Sequence, residues 1–492
     1  MTSVQFIVVL VYMVIMMLIG YYTMKAQGGN EVTQEDFFLA GRNLGWLPLT
    51  FTIAGTYFST YAMMGVAGAL FKQGIPWITV SVSTPIIVSL VMWHIGRRIW
   101  YLGSKNGYIT PADMLDDYYS SKTMRVLTAL VNIAFCIPYV TIQIIGGAKI
   151  LQMASGGAIP FSTGAWIILF VILAYVMMGG MAAVAWTDVI QSLLLLGGMY
   201  IGGVYAAYYM FNSPTDLWAK AIQEIPKHLT MPGGLGNLTW LGIFSTSLMI
   251  AIGMVPGGAP FWMRCYASGG LKAIKISAGL QPLLLSLAYL FATTLVGTGG
   301  RLTWPSISNP DNIFLELMAN YASPLVIGLV FAAIIAAGMS TADSNLHAIS
   351  SVLSIDIYKQ FINPNATDKQ IVWVGRLVIL IIGLASLWVS MKWAGMIVPL
   401  AFIAMSISMQ LAPPLVAALF WEKASTRGAV IGLVAGLIVT YLTLYIWPHP
   451  LKIHGGFWGF AVNTFILVSI SLLENRPRPR EVINRFRLGA SA

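Results

Sequence analysis

Ala337, Ser340 and Thr341 stand at i, i+3 and i+4 in the run from Phe331 to Asn345, so a helix there carries all three on one face. Two hydroxyls and a helix carbonyl released from strict bonding are hard oxygen ligands, suited to a hard cation. A monovalent ion needs no carboxylate among them. The same residue types also pack helices closely and bond back to their own backbone, and the stretch by itself reads that way first. Two further groups share this region. Asp343 lies one turn on, where it can attract a departing cation, carry a proton or pair with a basic residue. His347 follows Ser340 by seven residues and reads as a packing histidine before a proton carrier.

Two other segments cannot form regular helix. One is Thr52-Ile53-Ala54-Gly55-Thr56-Tyr57-Phe58-Ser59-Thr60-Tyr61, a glycine followed by hydroxyl residues inside an apolar run. The other is Gly253-Met254-Val255-Pro256-Gly257-Gly258-Ala259-Pro260, with two prolines and three glycines. Thr56, Tyr57, Tyr61 and Met254 lie at these interruptions and are candidates to line a binding site. Gln143 and Gln410 are neutral amides in otherwise apolar runs. Each can hold polar atoms of a solute or of a neighbouring helix. Asp188 follows the Gly179-Gly180 turn and is expected about one turn into a helix. There it serves an ion path or sits as an acid favoured by the helix dipole.

The elements that position these residues are membrane helices. The chain has 492 residues, of which 58% are hydrophobic and 9% charged, with a mean hydropathy of +0.78. Soluble domains carry roughly 25% charge, so a soluble enzyme and a disordered chain are both excluded. The apolar runs are long and continuous, which favours helices over a β-barrel. Thirteen spans are expected, near 4–24, 46–72, 76–102, 124–153, 160–179, 182–210, 240–262, 271–298, 323–358, 371–391, 394–421, 428–446 and 455–474. The first reads as a span and not as a cleavable signal. Most of the 27 Lys and Arg residues, Arg264 among them, fall on one side if the N-terminus is outside and the C-terminus cytoplasmic. That asymmetry accounts for the net charge of +10 without nucleic acid. Cys136 and Cys265 give no disulfide framework. No phosphate-binding loop or zinc-protease helix is present. Asn237-Leu238-Thr239 is a glycosylation sequon on an expected outer loop.

The two broken spans are the second and the seventh, so they cross the membrane in opposite directions. Interrupted helices in corresponding positions of inverted repeats are the pattern of a transporter whose site lies at the repeat interface.

In four segments the chain resembles the sodium:solute symporter family, which includes sodium/glucose, proline and pantothenate symporters. They are Asp36-Phe37-Phe38-Leu39-Ala40-Gly41-Arg42; Gly179-Gly180-Met181 with Trp186-Thr187-Asp188 and Gln191; Pro260 with Arg264; and Ala336 to Asn345. Gln143-Ile144-Ile145-Gly146-Gly147-Ala148-Lys149 is most similar to the pantothenate and monocarboxylate branch. The resemblance implies an all-α membrane protein of about 13 helices with a five-plus-five inverted-repeat core, like that of the bacterial leucine transporter. The repeats would span 46–210 and 240–421, after an extra helix at 4–24 and before two more at 428–474 and a basic tail at 475–492. It implies a sodium site made by the carbonyls of Gly55, Phe58 and Ala337 and the hydroxyls of Ser340 and Thr341, with Asp188 on the inward sodium path. The sugar-carrying branch has an Asn and a gating Tyr where this chain has Ala251 and Met254. The proline branch has a carboxylate where this chain has Tyr57.

The expected function is sodium-coupled import of a small organic solute, monocarboxylate or pantothenate-like, by alternating access in the plasma membrane. Thr56, Tyr57, Tyr61, Gln143, Met254 and Gln410 would contact the solute. Proton coupling through Asp343 and His347, sodium-independent transport and a transporter-like sensor are the alternatives. The partners are the solute, Na+ and the lipid bilayer. No cofactor, nucleic acid or obligatory protein partner is expected, and no enzymatic activity.

Overall fold

A computed structural model describes residues 3–26, 32–393 and 395–488. The final residues of the basic tail, 489–492, lie outside the described residues. Among the described residues the secondary structure is helical throughout, with two isolated backbone bridges and no strand. The helices used below are α1 (Ser3–Ala26), α2 (Trp46–Tyr57), α3 (Val66–Gln73), α4 (Pro76–Asn106), α5 (Pro111–Tyr119), α6 (Lys122–Ala154), α7 (Phe161–Tyr209), α8 (Trp240–Met254) and α9 (Ala259–Ala267). They continue as α10 (Leu271–Thr303), α11 (Pro324–Ile362), α12 (Asp368–Lys392), α13 (Ile397–Phe420), α14 (Thr426–Ile446), α15 (Gly455–Glu474) and α16 (Arg480–Leu488).

Ten of these are long and apolar enough to cross a membrane, and an eleventh crossing forms if α8 and α9, bent by 50°, are one span. Thirteen were expected, and the difference has two sources. The run 46–73 is divided by a break at Phe58 and Ser59 into α2 and a second piece, in which a π-helical turn at Tyr61–Gly65 leads into α3, so it holds no single long helix. The expected spans 160–179 and 182–210 join in α7, which turns sharply at Gly180 (φ 52°, ψ −144°).

The outward faces of the outer helices are apolar. Phe465 is 72% exposed and Leu473 85%, and in water such a surface would drive aggregation. Only a hydrocarbon solvent satisfies it, which makes the chain an integral membrane protein. The interior belongs to α11, most of whose residues are buried between α6, α7 and α1. Small residues permit that enclosure. A side chain on Gly338 would stand 2.8 Å from Thr60 Oγ1, and one on Gly55 would stand 3.0 Å from Ser340 Cβ.

Gly180 requires its glycine on two counts. Its dihedral angles are costly for any residue with a Cβ, and a Cβ there would lie 2.5 Å from the carbonyl oxygen of Phe37. Gly180→Ala is therefore expected to destabilise the protein by about 1–3 kcal/mol from the backbone alone, read as a lower melting temperature in detergent. Gly197→Ala is the control, because a Cβ at Gly197 meets nothing within 4 Å. Equal melting of the two variants would contradict the assignment.

Candidate functional site

The hydroxyl face of α11 meets the first broken helix. Thr341 Oγ1 donates to Gly55 O at 2.8 Å and reaches Ala337 O at 3.2 Å. Ser340 Oγ lies 3.1 Å from Gly55 O and 3.2 Å from Ala337 O. All four residues are buried, so four neutral oxygens from two helices converge out of reach of bulk water. A hydroxyl carries one hydrogen and two lone pairs. Rotating both hydrogens away turns the cluster from an internally bonded junction into a set of acceptors for a cation.

Glycine was expected to mark the first break. The chain instead stays helical through Gly55 and leaves the helix three residues later, where Phe58 is extended at φ −93° and ψ 92°. Gly55 is small for another reason: Ser340 and Ser192 press against it. Phe58 still donates its amide to Ala54 O at 2.8 Å, while its ψ turns its carbonyl out of helical register. Its ring packs on Tyr289 at 4.6 Å.

One turn along α11 lies a buried charged network that the sequence did not reveal. Arg264 was counted among the cytosolic charges. It is fully buried instead, reaching from α9 to donate to Thr52 O at 3.2 Å and to Thr52 Oγ1 at 3.0 Å. It also donates to Ser344 Oγ and to Pro260 O, and its Nη2 lies 3.6 Å from Asp188 Oδ2. Asp188 accepts from Thr52 Oγ1 at 2.5 Å. It stands about two turns beyond Gly180 and is fully buried, deeper than the expected single turn. Asp343 accepts from Tyr175 Oη at 2.6 Å instead of meeting a basic residue at a helix end. His347 Nε2 bonds Phe37 O at 2.9 Å, and its ring packs against Phe37 and Phe38.

The residues proposed for a solute separate into four groups. Tyr57, Tyr61 and Met254 come together with Phe58 and Tyr289 around a cavity of about 20 Å³, room for about one water. Tyr57 Oη and, at the same break, Thr60 Oγ1 are buried without a hydrogen-bond partner among the described residues. Thr56 turns away, donating to Thr52 O at 2.7 Å and Ser344 Oγ at 3.1 Å. Gln143 faces the break itself: its Oε1 accepts from Thr60 N at 3.2 Å, and its Nε2 donates to Tyr139 O. Gln410 is not with the others. It lies against α14 and α15, donating to Ser406 O and Gly456 O, with Gly436 beside its Oε1.

Asn132 was also missed. Its Oδ1 accepts from Ala259 N, the first amide of α9, at 2.9 Å. Asn132 and Gln143 are about three turns apart on α6, so one helix caps the restart of both broken spans. A polar residue in an apolar run was the available signal. Asn132→Leu leaves the Ala259 N–H buried and unpaired, at an expected cost of about 1–3 kcal/mol. Thermal unfolding in detergent measures it, and an unchanged transition would count against the capping role.

The sequence model of the sodium:solute symporter family matches residues 37–436. The chain belongs to that family. It is 27% identical to the sodium/proline symporter of Haemophilus influenzae, over 97% of this chain and 95% of that one. It is also 27% identical to the sodium/pantothenate symporter of Escherichia coli, over 89% and 91% of the two chains. The fold matches that of a Na+-coupled sialic acid symporter solved in a substrate-bound, outward-open state. The TM-score is 0.83 at 19% identity, covering 97% of this chain and 99% of that one. This symporter is thus a sodium-coupled solute transporter of the membrane and not an enzyme. Sodium accords with the donor set at Ser340 and Thr341. Among the described residues there is no cluster of three His, Cys, Asp or Glu side chains able to hold a metal ion.

Proposed function

We propose that this symporter imports a small carboxylate, of the monocarboxylate or pantothenate kind, together with Na+. The observation that carries the reading is the junction at which Ser340 and Thr341 bond the Gly55 carbonyl of the broken helix. Na+ takes the place of those hydroxyl hydrogens, held by the carbonyls of Gly55, Phe58 and Ala337 and by the hydroxyls of Ser340 and Thr341. It thereby clamps α2 to α11. Tyr57 and Tyr61, on either side of the Phe58 break, then face the solute with Met254 opposite, and Thr56 links this wall to Ser344. Sodium and solute favour the same arrangement, so each raises the affinity for the other by the same factor.

The substrate class is supported by chemistry the named relatives share: proline, pantothenate and sialic acid all carry a carboxylate. Arg264 is not free to receive it, being committed to Asp188, Thr52 and Ser344. The N–H of Thr60 is the alternative. It already faces an amide oxygen of Gln143, and a carboxylate oxygen substitutes for that acceptor at the positive end of a half-helix. Gln410 has no part in this site and steadies the α14–α15 pair. After the inward switch Na+ leaves past Asp188, once Arg264 releases it. The orientation is N-terminus outside and C-terminus cytoplasmic, and the two repeats, 46–210 and 240–421, exchange access around the clamp.

One charge falling through 100 mV releases about 2.3 kcal/mol. A monoanion moving with one Na+ carries no net charge, so its accumulation follows the sodium concentration ratio and not the voltage. The test is uptake into proteoliposomes under an inward sodium gradient, with pantothenate, lactate, proline and glucose each offered beside panthenol, the alcohol counterpart of pantothenate. Sodium-dependent uptake of at least one carboxylate, with panthenol excluded, is expected. Uptake of a sugar with none of the acids would overturn the substrate class.

A further inference from the structure

Where α14 begins and its neighbour α15 finishes, the pair borders a cavity of about 500 Å³. It lies on the face proposed to be cytoplasmic. Its walls come from the first residues of α14, the last of α15 and the connector Arg476-Pro477-Arg478-Pro479 that leads to α16. Prolines lack an amide hydrogen and resist helix, so the chain is irregular between α15 and α16, and both arginines of the connector line the cavity.

Three cations face one carboxylate here. Arg478 is held in place: its Nε donates to Ala424 O at 3.1 Å and its Nη2 to Thr426 Oγ1 at 2.6 Å. Its guanidinium also lies over the rings of Tyr118 and Tyr119 of α5, at 5.3 and 5.2 Å. A cation so restrained gives up little freedom when an anion arrives. Arg427 and Arg476 also line the cavity and are exposed. The one carboxylate is Glu474, 3.8 Å from Arg427. The backbone adds to the positive side. Ser425 Oγ accepts from Gly428 N at 3.0 Å, which leaves the Thr426 and Arg427 amides of α14 without a helical partner and pointing the positive end of the helix at this end of the pair.

One wall is of the opposite character. Leu473 lines the cavity and is 85% exposed, and its neighbour Leu472 is 58% exposed. The last turn of α15 therefore stands in hydrocarbon, and Arg476 follows only three residues later. An occupant meets arginines and helix amides on one side and the acyl layer on the other. We infer that this cavity seats the headgroup of an anionic phospholipid, its phosphate at Arg427, Arg476 and the first amides of α14, with Arg478 fixed beside it and an acyl chain along Leu473. Basic pockets between membrane helices on the cytoplasmic side recognise such headgroups. The inference is independent of solute and sodium, and uses the proposed orientation only to name the leaflet. The seat also joins the α14–α15 pair to α5, because α16 continues the connector and docks there: Arg485 Nη1 pairs with Asp117 at 2.5 Å and Phe486 packs on Tyr118 at 5.0 Å.

The test titrates the detergent-purified, full-length protein with phosphatidylglycerol or with phosphatidylcholine of the same acyl chains, and native mass spectrometry counts the bound lipid. Phosphatidylglycerol is expected to bind at least about tenfold more tightly. Arg427→Gln/Arg476→Gln is expected to weaken it at least about fivefold. Lys272→Gln/Lys275→Gln removes the same charge from exposed positions at the start of α10 and is expected to change it less than about twofold. Glu474→Gln, which removes the opposing carboxylate, is expected to tighten binding. Equal binding of the two lipids, wild-type binding by the arginine pair, or an equal loss in the lysine pair would overturn the seat. A second measurement separates lipid from soluble anion. Phosphatidylglycerol is expected to raise the melting temperature and inorganic phosphate to leave it unchanged; equal stabilisation by phosphate would overturn the lipid assignment.

Discussion

Replacing Ser340 and Thr341 together with alanine is expected to raise the sodium concentration for half-maximal uptake by at least about 100-fold. A hydrogen bond or ligand to a charged group is worth about 1.5–3 kcal/mol, and each 1.4 kcal/mol is about tenfold. The two positions share the Gly55 and Ala337 carbonyls, so their effects will not simply add. The single changes therefore belong in the same experiment, as does Thr341→Ser, which keeps the oxygen and is expected to stay within a few-fold of wild type. Burial sharpens the prediction, because bulk water cannot readily replace a lost ligand at residues that are 0% exposed. Initial uptake rates across a sodium titration are the readout. An unchanged sodium dependence in the double variant would remove these hydroxyls from the coupling site.

The second large effect concerns Arg264. Arg264→Leu strands Asp188 in the interior with only the hydroxyls of Thr52 and Ser344 left to bond it. Breaking a buried ion pair from one side costs about 3–5 kcal/mol, whereas replacing both partners is often nearly neutral. The single variant is accordingly expected to lose that much stability, and Arg264→Leu/Asp188→Asn to recover more than half of it. Thermal unfolding of the purified proteins in detergent gives both numbers. If the double variant is no more stable than the single one, the guanidinium acts through Thr52 and Ser344 and not through Asp188. The pair also bears on transport: a cation that passes Asp188 must compete with a guanidinium already there, so uptake in the double variant is expected to lose speed more than sodium affinity.

Some of this architecture was legible in the chain because it is local. Hydroxyls at i, i+3 and i+4 define a helix face without reference to any other segment, and consecutive prolines and glycines at 253–260 break a helix wherever it lies. The contents of the interior were less legible, because they depend on which distant side chains meet. Arg264 reads as a cytosolic charge in any tally of basic residues; Asp188 on another helix, with the oxygens of Thr52, Ser344 and Pro260, makes its burial tolerable. Gln143 and Gln410 are alike in sequence, two amides in apolar runs. One caps the first break and the other braces the C-terminal pair, a difference set by their neighbours. The position of the first break was displaced by a similar cause. Gly55 is small because Ser340 packs against it, while the helix ends at Phe58, where Ser59 and Gln143 take over the next amides.

Na+ is proposed to sit between the first broken helix and α11. The most direct measurement is an experimental structure at saturating sodium, compared with one in which choline replaces sodium. Sodium is expected to add density bounded by the carbonyl oxygens of Gly55 and Ala337 and the hydroxyl oxygens of Ser340 and Thr341, with both hydroxyls parted from the Gly55 carbonyl. Density held instead by Asp188 or Asp343, with the Ser340 and Thr341 bonds to Gly55 intact, would contradict the account.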